Sequence, residues 1–506
     1  MVVVDFIAYY LYGLAWLIPF LASLIAVSGL DDVVIDTVFL GRAVYRKFFV
    51  YTRHRAMFGE NLAGASESWI AIMVPAWQEA AVIEKMLRHV VSTAQYTHYH
   101  IFVGTYPNDP DTRRAVLALG NEWIRAPGSP QRPDGQRISI IDVGHPGPTS
   151  KADCLNAIYR EIQAFEQTTG IDFAIYVLHD AEDVVHPRSL RLYNHLIPRK
   201  DMVQLPVVPL ERPMWNLVGC HYMDEFAESH IKDLTVREAL TGAVAGAGVG
   251  CAFSAGALKL ANGEDGPFDV SSLTEDYDLS QRLHLSGCKT VFVRMPVVFG
   301  ERGWGGLGRD FIATREYFPD RTRAAIRQKA RWLMGIAFQS WGRQGWRGSF
   351  AQKYMFFRDR KAVWTAQINM AAYFVAANVA LILLIKALFP ESYRFPPLIP
   401  ESGPVHGLLL VNLGLVVNRI IHRFAYVSWI YGPLHGLLSV PRLVIGNFIN
   451  FAAAIRATRL FLIHKLTGRP LAWDKTAHSF PAEDALKRFA RRPETVNAPR
   501  PVGLDD

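Results

Sequence analysis

An α/β domain fused to transmembrane helices is the architecture the sequence predicts, and three observations carry that prediction. Short β-rich runs alternate with amphipathic stretches from residue 69 onward. Residues 6–30 and 362–385 contain no charged side chain. Hydrophobic residues make up 50% of the 506-residue chain and charged residues only 20%, an apolar balance for a sequence with a large polar middle.

The elements follow in chain order. Residues 6–30 are long enough to cross a bilayer, since about 20 apolar residues span its hydrocarbon core. Asp5 is the only charge before them, so the basic start of a secretory leader is missing. The run reads as a retained anchor, with Pro19 placed to kink it. Residues 32–58 mix Val, Phe and Tyr with Arg and Lys and read as an interfacial helix. Residues 1–58 thus form an anchor segment. A soluble domain is expected over residues 64–310. Its strands are predicted at 69–74, 100–104, 138–143 and 173–178, with helices at 78–93, 111–119, 151–166 and 187–197. Such alternation predicts a mainly parallel sheet covered on both faces. Ligands of such sheets bind beyond the carboxyl ends of the strands. Residues 124–137 and 262–272 read as loops.

Residues 311–361 are basic and aromatic, with Trp332, Trp341, Trp346, Phe356 and Phe357, which predicts amphipathic helices at the membrane surface. Residues 362–464 form a second membrane region. It holds a span at 362–385, a shorter candidate at 402–418, and apolar runs at 424–440 and 443–455. Pro441 and Arg442 separate the last two, which fit two tilted spans or a re-entrant pair. Residues 465–506 read as a basic tail with Lys487, Arg488, Arg491 and Arg492. Net charge is +8, but its carriers flank apolar spans: Arg42, Arg46, Lys47, Arg53 and Arg55, then Arg358, Arg360 and Lys361. That is the positive-inside pattern, which places the soluble domain and the tail in the cytosol and argues against a nucleic-acid partner. Domain and tail on one side, after a single leading span, require three or five spans. Cys154, Cys220, Cys251 and Cys288 form no C-x-x-C pair, which predicts reduced, buried thiols.

Four polar motifs carry the chemistry. Val74-Pro75-Ala76-Trp77-Gln78-Glu79 and Asp180-Ala181-Glu182-Asp183 each end a predicted strand, where carboxylates escape the cost of core burial. Acids one residue apart can hold Mg²⁺ or Mn²⁺ and leave positions for phosphate oxygens; an acidic turn before Pro187 is the plainer alternative. His179 and His186 beside them lack the spacing and thiols of a zinc site. Thr274-Glu275-Asp276-Tyr277-Asp278 starts a helix. It reads either as an imperfect capping box or as a base for an acceptor hydroxyl. On Gln328-Lys329-Ala330-Arg331-Trp332, the spacing puts Gln328, Arg331 and Trp332 on one helical face. Arginine there suits phosphate oxygens and indole a sugar ring, or both anchor an interface. Asn108-Asp109-Pro110-Asp111 is a turn that could meet a nucleotide, and Lys151 opens a helix. Gly246, Gly248 and Gly250 lack dinucleotide-loop spacing and instead permit close backbone approach.

Taken in this order, the motifs resemble those of the family 2 glycosyltransferases of bacterial polysaccharide synthesis: P-A-x-N-E, D-x-D, T-E-D and Q-x-x-R-W. Gln78 stands at the Asn position and Glu182 at the second Asp, while Thr274-Glu275-Asp276 and Gln328…Arg331-Trp332 match unchanged. Lys151…Leu155-Asn156 is similar to the family's K-x-x-x-L-N. The resemblance implies a GT-A fold, the Rossmann-like mixed sheet of nucleotide-diphospho-sugar transferases, and inverting transfer from a UDP-sugar. It implies Asp276 as base beside Glu275. Asp180, Glu182 and Asp183 become the ligands of Mg²⁺ or Mn²⁺. Pro75, Glu79, Asp109, Lys151 and Asp180 fall on the donor side, with Gln328 and Arg331 at the diphosphate and Trp332 at the acceptor. A polysaccharide or lipid-linked acceptor, membrane lipids, an export partner and a bacterial inner-membrane location are further implications. Transfer of one sugar to a lipid phosphate, and a non-catalytic membrane receptor retaining the fold, are the competing readings.

Overall fold

The computed structural model of the protein describes residues 2–54, 57–62, 66–120, 123–124, 136–298, 309–391, 395–399, 401–469, 478–482 and 486. Most of the predicted 124–137 loop, Arg55, and Lys487, Arg488, Arg491 and Arg492 of the tail fall outside these residues. The chain opens with helix α1 (Val2–Tyr45), one continuous helix through Pro19 and on into the segment read as a separate interfacial helix. The soluble domain follows as β1 (Trp69–Pro75), α2 (Ile83–Thr93), β2 (Tyr99–Thr105), α3 (Pro110–Leu117), β3 (Ile138–Asp142), α4 (Lys151–Thr169), β4 (Phe173–Leu178) and α5 (Ser189–Leu196). Next come β5 (Met202–Gln204), β6 (Val207–Pro209), α6 (Leu217–Glu228), α7 (Leu234–Thr241), β7 (Cys251–Ser254), α8 (Ala255–Ala261) and α9 (Glu275–Leu285). Short strands β8 (Thr290–Phe292), β9 (Pro296–Val298), β10 (Arg309–Phe311) and β11 (Thr314–Glu316) lead into α10 (Thr322–Leu333) and α11 (Ser340–Gln344). Three long helices close the fold: α12 (Phe350–Leu388), α13 (Pro404–Tyr431) and α14 (Pro433–Thr467).

The central sheet runs β3-β2-β1-β4-β7-β5-β8. β1 pairs parallel with β2 and β4, and β5 parallel with β8, while β7 is antiparallel to both β4 and β5. This mixed sheet is what the resemblance implies. Its core lies on both faces, as a buried sheet requires. Along β1, Ile70, Ile72 and Val74 pack with Ile83 and Leu87 of α2, while Ala71 and Met73 pack with Leu155 and Ile158 of α4. The period-2 alternation of side chains puts apolar residues on both sides because both sides are covered. The register Pro75↔Gly104 brings the carboxyl ends of β1 and β2 level, so their following loops meet.

Among the described residues, four helices are long and apolar enough to cross a membrane: α1 with its continuation to Val50, α12, α13 and α14. Leu11, Leu14, Ile18 and Leu21 of α1 pack against Val375 of α12. Below this apolar contact lies a charged collar. Asp31 accepts from Arg358 at 2.5 Å and from Lys361, and Asp36 accepts from Lys232 at 2.7 Å and Asn418 at 2.8 Å. The predicted break at Pro441 and Arg442 is not where the chain turns. The turn falls at Gly432, and α14 runs through both residues.

Arg442 has another task. It is 2% exposed and its guanidinium donates from Nε and Nη2 to Asp224 on α6, at 2.8 and 2.7 Å. Asp224 is wholly buried, so α14 is pinned to the soluble domain by a two-pronged ion pair. Removing one partner of such a pair strands the other charge and costs about 3–5 kcal/mol. Arg442→Met is therefore expected to lower the thermal midpoint of the detergent-solubilised protein sharply. The double variant Arg442→Met/Asp224→Leu is expected to recover much of that loss in the same melting experiment.

Candidate functional site

The first loop of the site forms where β1 ends. Pro75 is the last β1 residue, and three residues later the chain turns sharply, with Gln78 at φ 55. A positive φ is costly for a side chain larger than glycine, so something must hold it. Asp109 does: its Oδ2 accepts from Gln78 N at 2.5 Å while Oδ1 accepts from Thr112 N at 3.4 Å as the N-cap of α3. Expected to meet uridine, Asp109 is 6% exposed and uses both oxygens on backbone N–H groups, so it builds the loop that presents Glu79. Asn108 closes the neighbouring wall by exchanging hydrogen bonds with Gly147, at 2.7 and 2.8 Å.

The second part gathers around Lys151, the first residue of α4. Its ammonium lies 2.5 Å from Asp180 Oδ1 and 3.9 Å from Glu275 Oε1, and donates to the carbonyl of Gly248 at 3.2 Å. Acids from the end of β4 and the start of α9, nearly a hundred positions apart in sequence, thus share one cation. Gly248, at φ +77, lies where a Cβ would come 3.0 Å from Asp276 Oδ2 and 3.4 Å from Lys151 Nζ. The glycine run therefore lets backbone approach Asp276 itself. Burial and the neighbouring Glu275 charge push the Asp276 carboxyl up to about 7. Burial alone would lower the Lys151 pKa, but the charges of Asp180 and Glu275 carry it above the ordinary lysine range.

The capping alternative for the Thr274 motif is not realised. Thr274 occupies the N-cap position, but its side chain makes no cap hydrogen bond and its hydroxyl is buried without a partner. It faces Gly335, just beyond α10. Glu275 is 5% exposed, whereas Asp276 remains half-buried at the cleft. Tyr277 donates to Asp359 of α12 at 2.6 Å and fixes the same helix from behind.

The Asp180-Ala181-Glu182-Asp183 turn divides its acids among three tasks. Asp180 faces Lys151. Asp183 is wholly buried and accepts from Asp180 N at 3.1 Å, with His179 Nδ1 2.7 Å from the same oxygen. Expected as a metal ligand, Asp183 instead braces the turn, because its side chain points back under the strand end. Glu182 turns the other way. Its Oε1 lies 3.1 Å from His478 Nδ1, which also lies 3.0 Å from Glu79 Oε1. Glu79, Glu182 and His478 offer ligand atoms within 4.8 Å of one another, the described group best placed to hold a divalent cation. Asp180 stands beside this group rather than within it.

The residues fit a cation. Glu182 is 3% exposed and its Oε2 is buried with no hydrogen-bond partner. Burial, then the charges of Asp180 and Glu79, raise its carboxyl above the ordinary range despite the opposing His478. Glu316, at the end of β11, is pushed up by burial and by Asp183, Glu182 and Asp180. Opposing burial, Glu182 and Glu79 lift the His478 imidazole well above the ordinary histidine range. So many carboxylates in one place call for positive charge.

The last motif lies on α10. Gln328 Oε1 and Arg331 Nε are both buried without partners, as groups awaiting a polar ligand would be. Trp332 sits half-buried among Tyr222, Phe226 and Phe318, with ring centroids 6.1, 6.1 and 6.2 Å away. Lys329, unassigned by the sequence reading, turns to the opposite side. It lies 2.7 Å from His221 Nε2, donates to Asn450 of α14 at 2.8 Å, and pairs with Glu225. Sequence reasoning also passed over His478 and Glu316, which sit in no motif. Three of the four cysteines are buried and all four are free, as expected.

Comparison with known proteins agrees with this arrangement. Residues 67–335, more than half of the chain, match the family described as Glycosyltransferase like family 2. The chain is 43% identical over 496 residues to bacteriophage adsorption protein B of Escherichia coli K12 and, equally, to bacteriophage N4 adsorption protein B of Escherichia coli O157:H7. The match covers 96% of this chain and 65% of each relative, so the chain spans just under two thirds of their length. The protein belongs to the family 2 glycosyltransferases. Among solved structures, a mannosyltransferase of Pyrobaculum calidifontis in complex with GDP-mannose and Mn²⁺ aligns with a TM-score of 0.46 and 13% identity, over 85% of this chain and 98% of that one. Glucosyl-3-phosphoglycerate synthase of Mycobacterium tuberculosis bound to UDP aligns at 0.27 and 16% identity, over 50% and 78%.

The contact between Thr274 and Gly335 gives a direct test of how the two motifs are held together. A Cβ at residue 335 would lie 2.1 Å from Thr274 Oγ1 and 2.6 Å from its Cγ2. Gly335→Ala must push α10 away from α9, and overpacking of this kind costs about 1–3 kcal/mol. A lowered thermal midpoint is expected, with normal melting behaviour restored by Thr274→Ala in the same chain.

Proposed function

We propose that the protein is an inverting, metal-dependent glycosyltransferase that moves a hexose or N-acetylhexosamine from a UDP-sugar to a growing polysaccharide at the inner membrane. The observation that carries this reading is Lys151, whose ammonium joins Asp180 to Glu275 beside Asp276. Donor-side acids and the acceptor base then border one cleft. Asp276 takes the proton of the attacking hydroxyl as the new glycosidic bond forms and the bond to UDP breaks. Glu275 and Lys151 hold that carboxylate in place. Arg331 and Gln328 meet the diphosphate, and Trp332 borders the acceptor path. Glu79, Glu182 and His478 would hold Mg²⁺ or Mn²⁺, which when bound neutralises the charge of the departing UDP.

The tail also supports a count of crossings. His478 touches the catalytic domain, so the chain after α14 lies on the domain's side. An even number of crossings must therefore separate them. α12 and α13 supply two. α14, pinned by Arg442 and Asn450 to α6 and α10, stays at the surface, which makes three spans with α1. By the positive-inside pattern that side is the cytosol.

A second reading, a lipid-linked acceptor, is favoured by one feature. A groove of about 1250 Å³ runs between Ser272-Leu273 and the aromatic pair Phe338 and Phe461, with Trp341, His464 and Lys465 along it. It reaches Ser150 and Asp153 at the start of α4, the helix that carries Lys151, where α14 ends.

Purified protein with Mn²⁺, screened across UDP-sugars, is expected to release UDP with one donor class. Asp276→Asn should retain UDP binding while transfer drops by about 10²–10⁴-fold; turnover at the parental rate rules out the base assignment. The pH profile has a sign as well. The active form is the carboxylate, and Asp276 titrates at about 7. Fraction active therefore rises with pH through that value. A plot of kcat/KM against pH should fall by about tenfold per unit on its acid side, a limb absent if another group is the base.

A further inference from the structure

We propose that His478 makes the C-terminal tail a metal-dependent latch: one divalent cation shared by Glu79, Glu182 and the tail imidazole fastens residues 478–482 onto the catalytic domain. This rests on the transferase reading for the identity of the site, but not on any step of the transfer itself.

Three observations combine. The first is geometric. His478 Nδ1 stands 3.0 Å from Glu79 Oε1 and 3.1 Å from Glu182 Oε1. Neighbouring ligands of an octahedral ion, each about 2.1 Å from it, lie about 3 Å apart. The imidazole's distances to both carboxylates already match neighbouring positions of a coordination shell. The second is the orphaned oxygen of Glu182, 3% exposed and without a partner, in a site crowded by Glu316 and Asp180. A further ligand position is waiting there. The third is the way the tail is seated. Phe480 packs against the core beneath α2, with its ring 6.4 Å from that of His89, and Pro481 is buried beside it. The segment therefore has an apolar foot and, through His478, polar contact with both acids of the site.

The consequence reaches the donor side. Glu79 follows Gln78, whose φ of 55 is held by Asp109. A cation bound through Glu79 pulls on that strained loop and on the tail together. Loading the ion ties both to one centre; removing it leaves the tail on its apolar foot and the ion pairs of His478. The tail therefore reports, at the surface of the domain, whether the site is loaded.

Hydrogen exchange of the full chain in detergent, with Mn²⁺ or with EDTA and no donor, tests this. Residues 478–482 are expected to gain protection with Mn²⁺. His478→Ala should abolish that gain and weaken Mn²⁺ binding, followed by electron paramagnetic resonance, by at least about tenfold. Phe480→Ala should lower tail protection under both conditions while retaining the Mn²⁺-dependent gain. Tail protection indifferent to Mn²⁺, or parental Mn²⁺ affinity in His478→Ala, overturns the latch and leaves the histidine as a counter-charge for two carboxylates. Failure of the transferase reading appears differently, as no UDP release by the parental protein with any UDP-sugar while the Mn²⁺-dependent tail protection persists.

Discussion

Everything at the cleft depends on one buried ammonium. Asp180, from the end of β4, and Glu275 and Asp276, from the start of α9, carry like charge. Two unit charges about 4 Å apart interact by about 4 kcal/mol at the effective dielectric of a protein edge, so three carboxylates brought together without a cation would drive β4 and α9 apart. Lys151 answers all three from the first turn of α4. Its position follows from local rules: Ser150 caps the helix by accepting from Asp153 N at 3.2 Å, and the helix packs Leu155 and Ile158 under the sheet. Core packing therefore sets where the cation stands, and the cation sets how near the acids come.

The same acids explain why the two halves of the site behave differently. On the Lys151 side the charges are balanced inside the protein, and Asp276 is the group left poised between its protonated and charged forms. On the His478 side the carboxylates outnumber the positive charge the described residues supply. One half is built to hold a proton, the other to receive an ion. Keeping them apart prevents the lysine from competing for the cation position, which explains why Asp180 and Glu182, adjacent but for Ala181, face opposite ways.

Much of this was legible in the sequence. The strands at 69–74, 100–104, 138–143 and 173–178 fall within a residue of the observed ones because each is an apolar run buried on both faces. The motifs singled out Glu275, Asp276, Lys151 and Asp180, which the fold gathers around one ammonium, because charged groups at a strand end or helix start stand clear of the core. What the sequence could not show is where Asp183 points; only the backbone turns its side chain toward His179. The same holds for Asp109, since a cap and a ligand contact demand the same residue. His478 left no signal at all. A lone histidine beyond the last helix gains meaning only when the fold returns it to β1. The short strands β5 to β11 were equally hidden, three or four residues each being too brief for a period to show. Pro441-Arg442 read as a break because proline and a charge interrupt hydropathy. Asp224, over two hundred positions away, is what makes the arginine welcome.

That long-range pairing carries the connection between bilayer and chemistry. α14 makes three attachments to the soluble domain along its length. Arg442 holds α6, Asn450 meets Lys329 within the Gln328–Trp332 motif, and Phe461 stacks on Phe338 at 4.7 Å. A rigid helix tied at three points cannot move relative to α10 without breaking a buried charge pair. Nor can α10 shift without disturbing Thr274, which its continuation through Gly335 touches. Asp276, the base in the proposed reading, would thus be held at a fixed height above the membrane surface. An acceptor growing from, or anchored in, the bilayer would then meet it at a constant depth, which accounts for why a charge as costly as Arg442 is buried in a helix otherwise apolar enough to enter lipid.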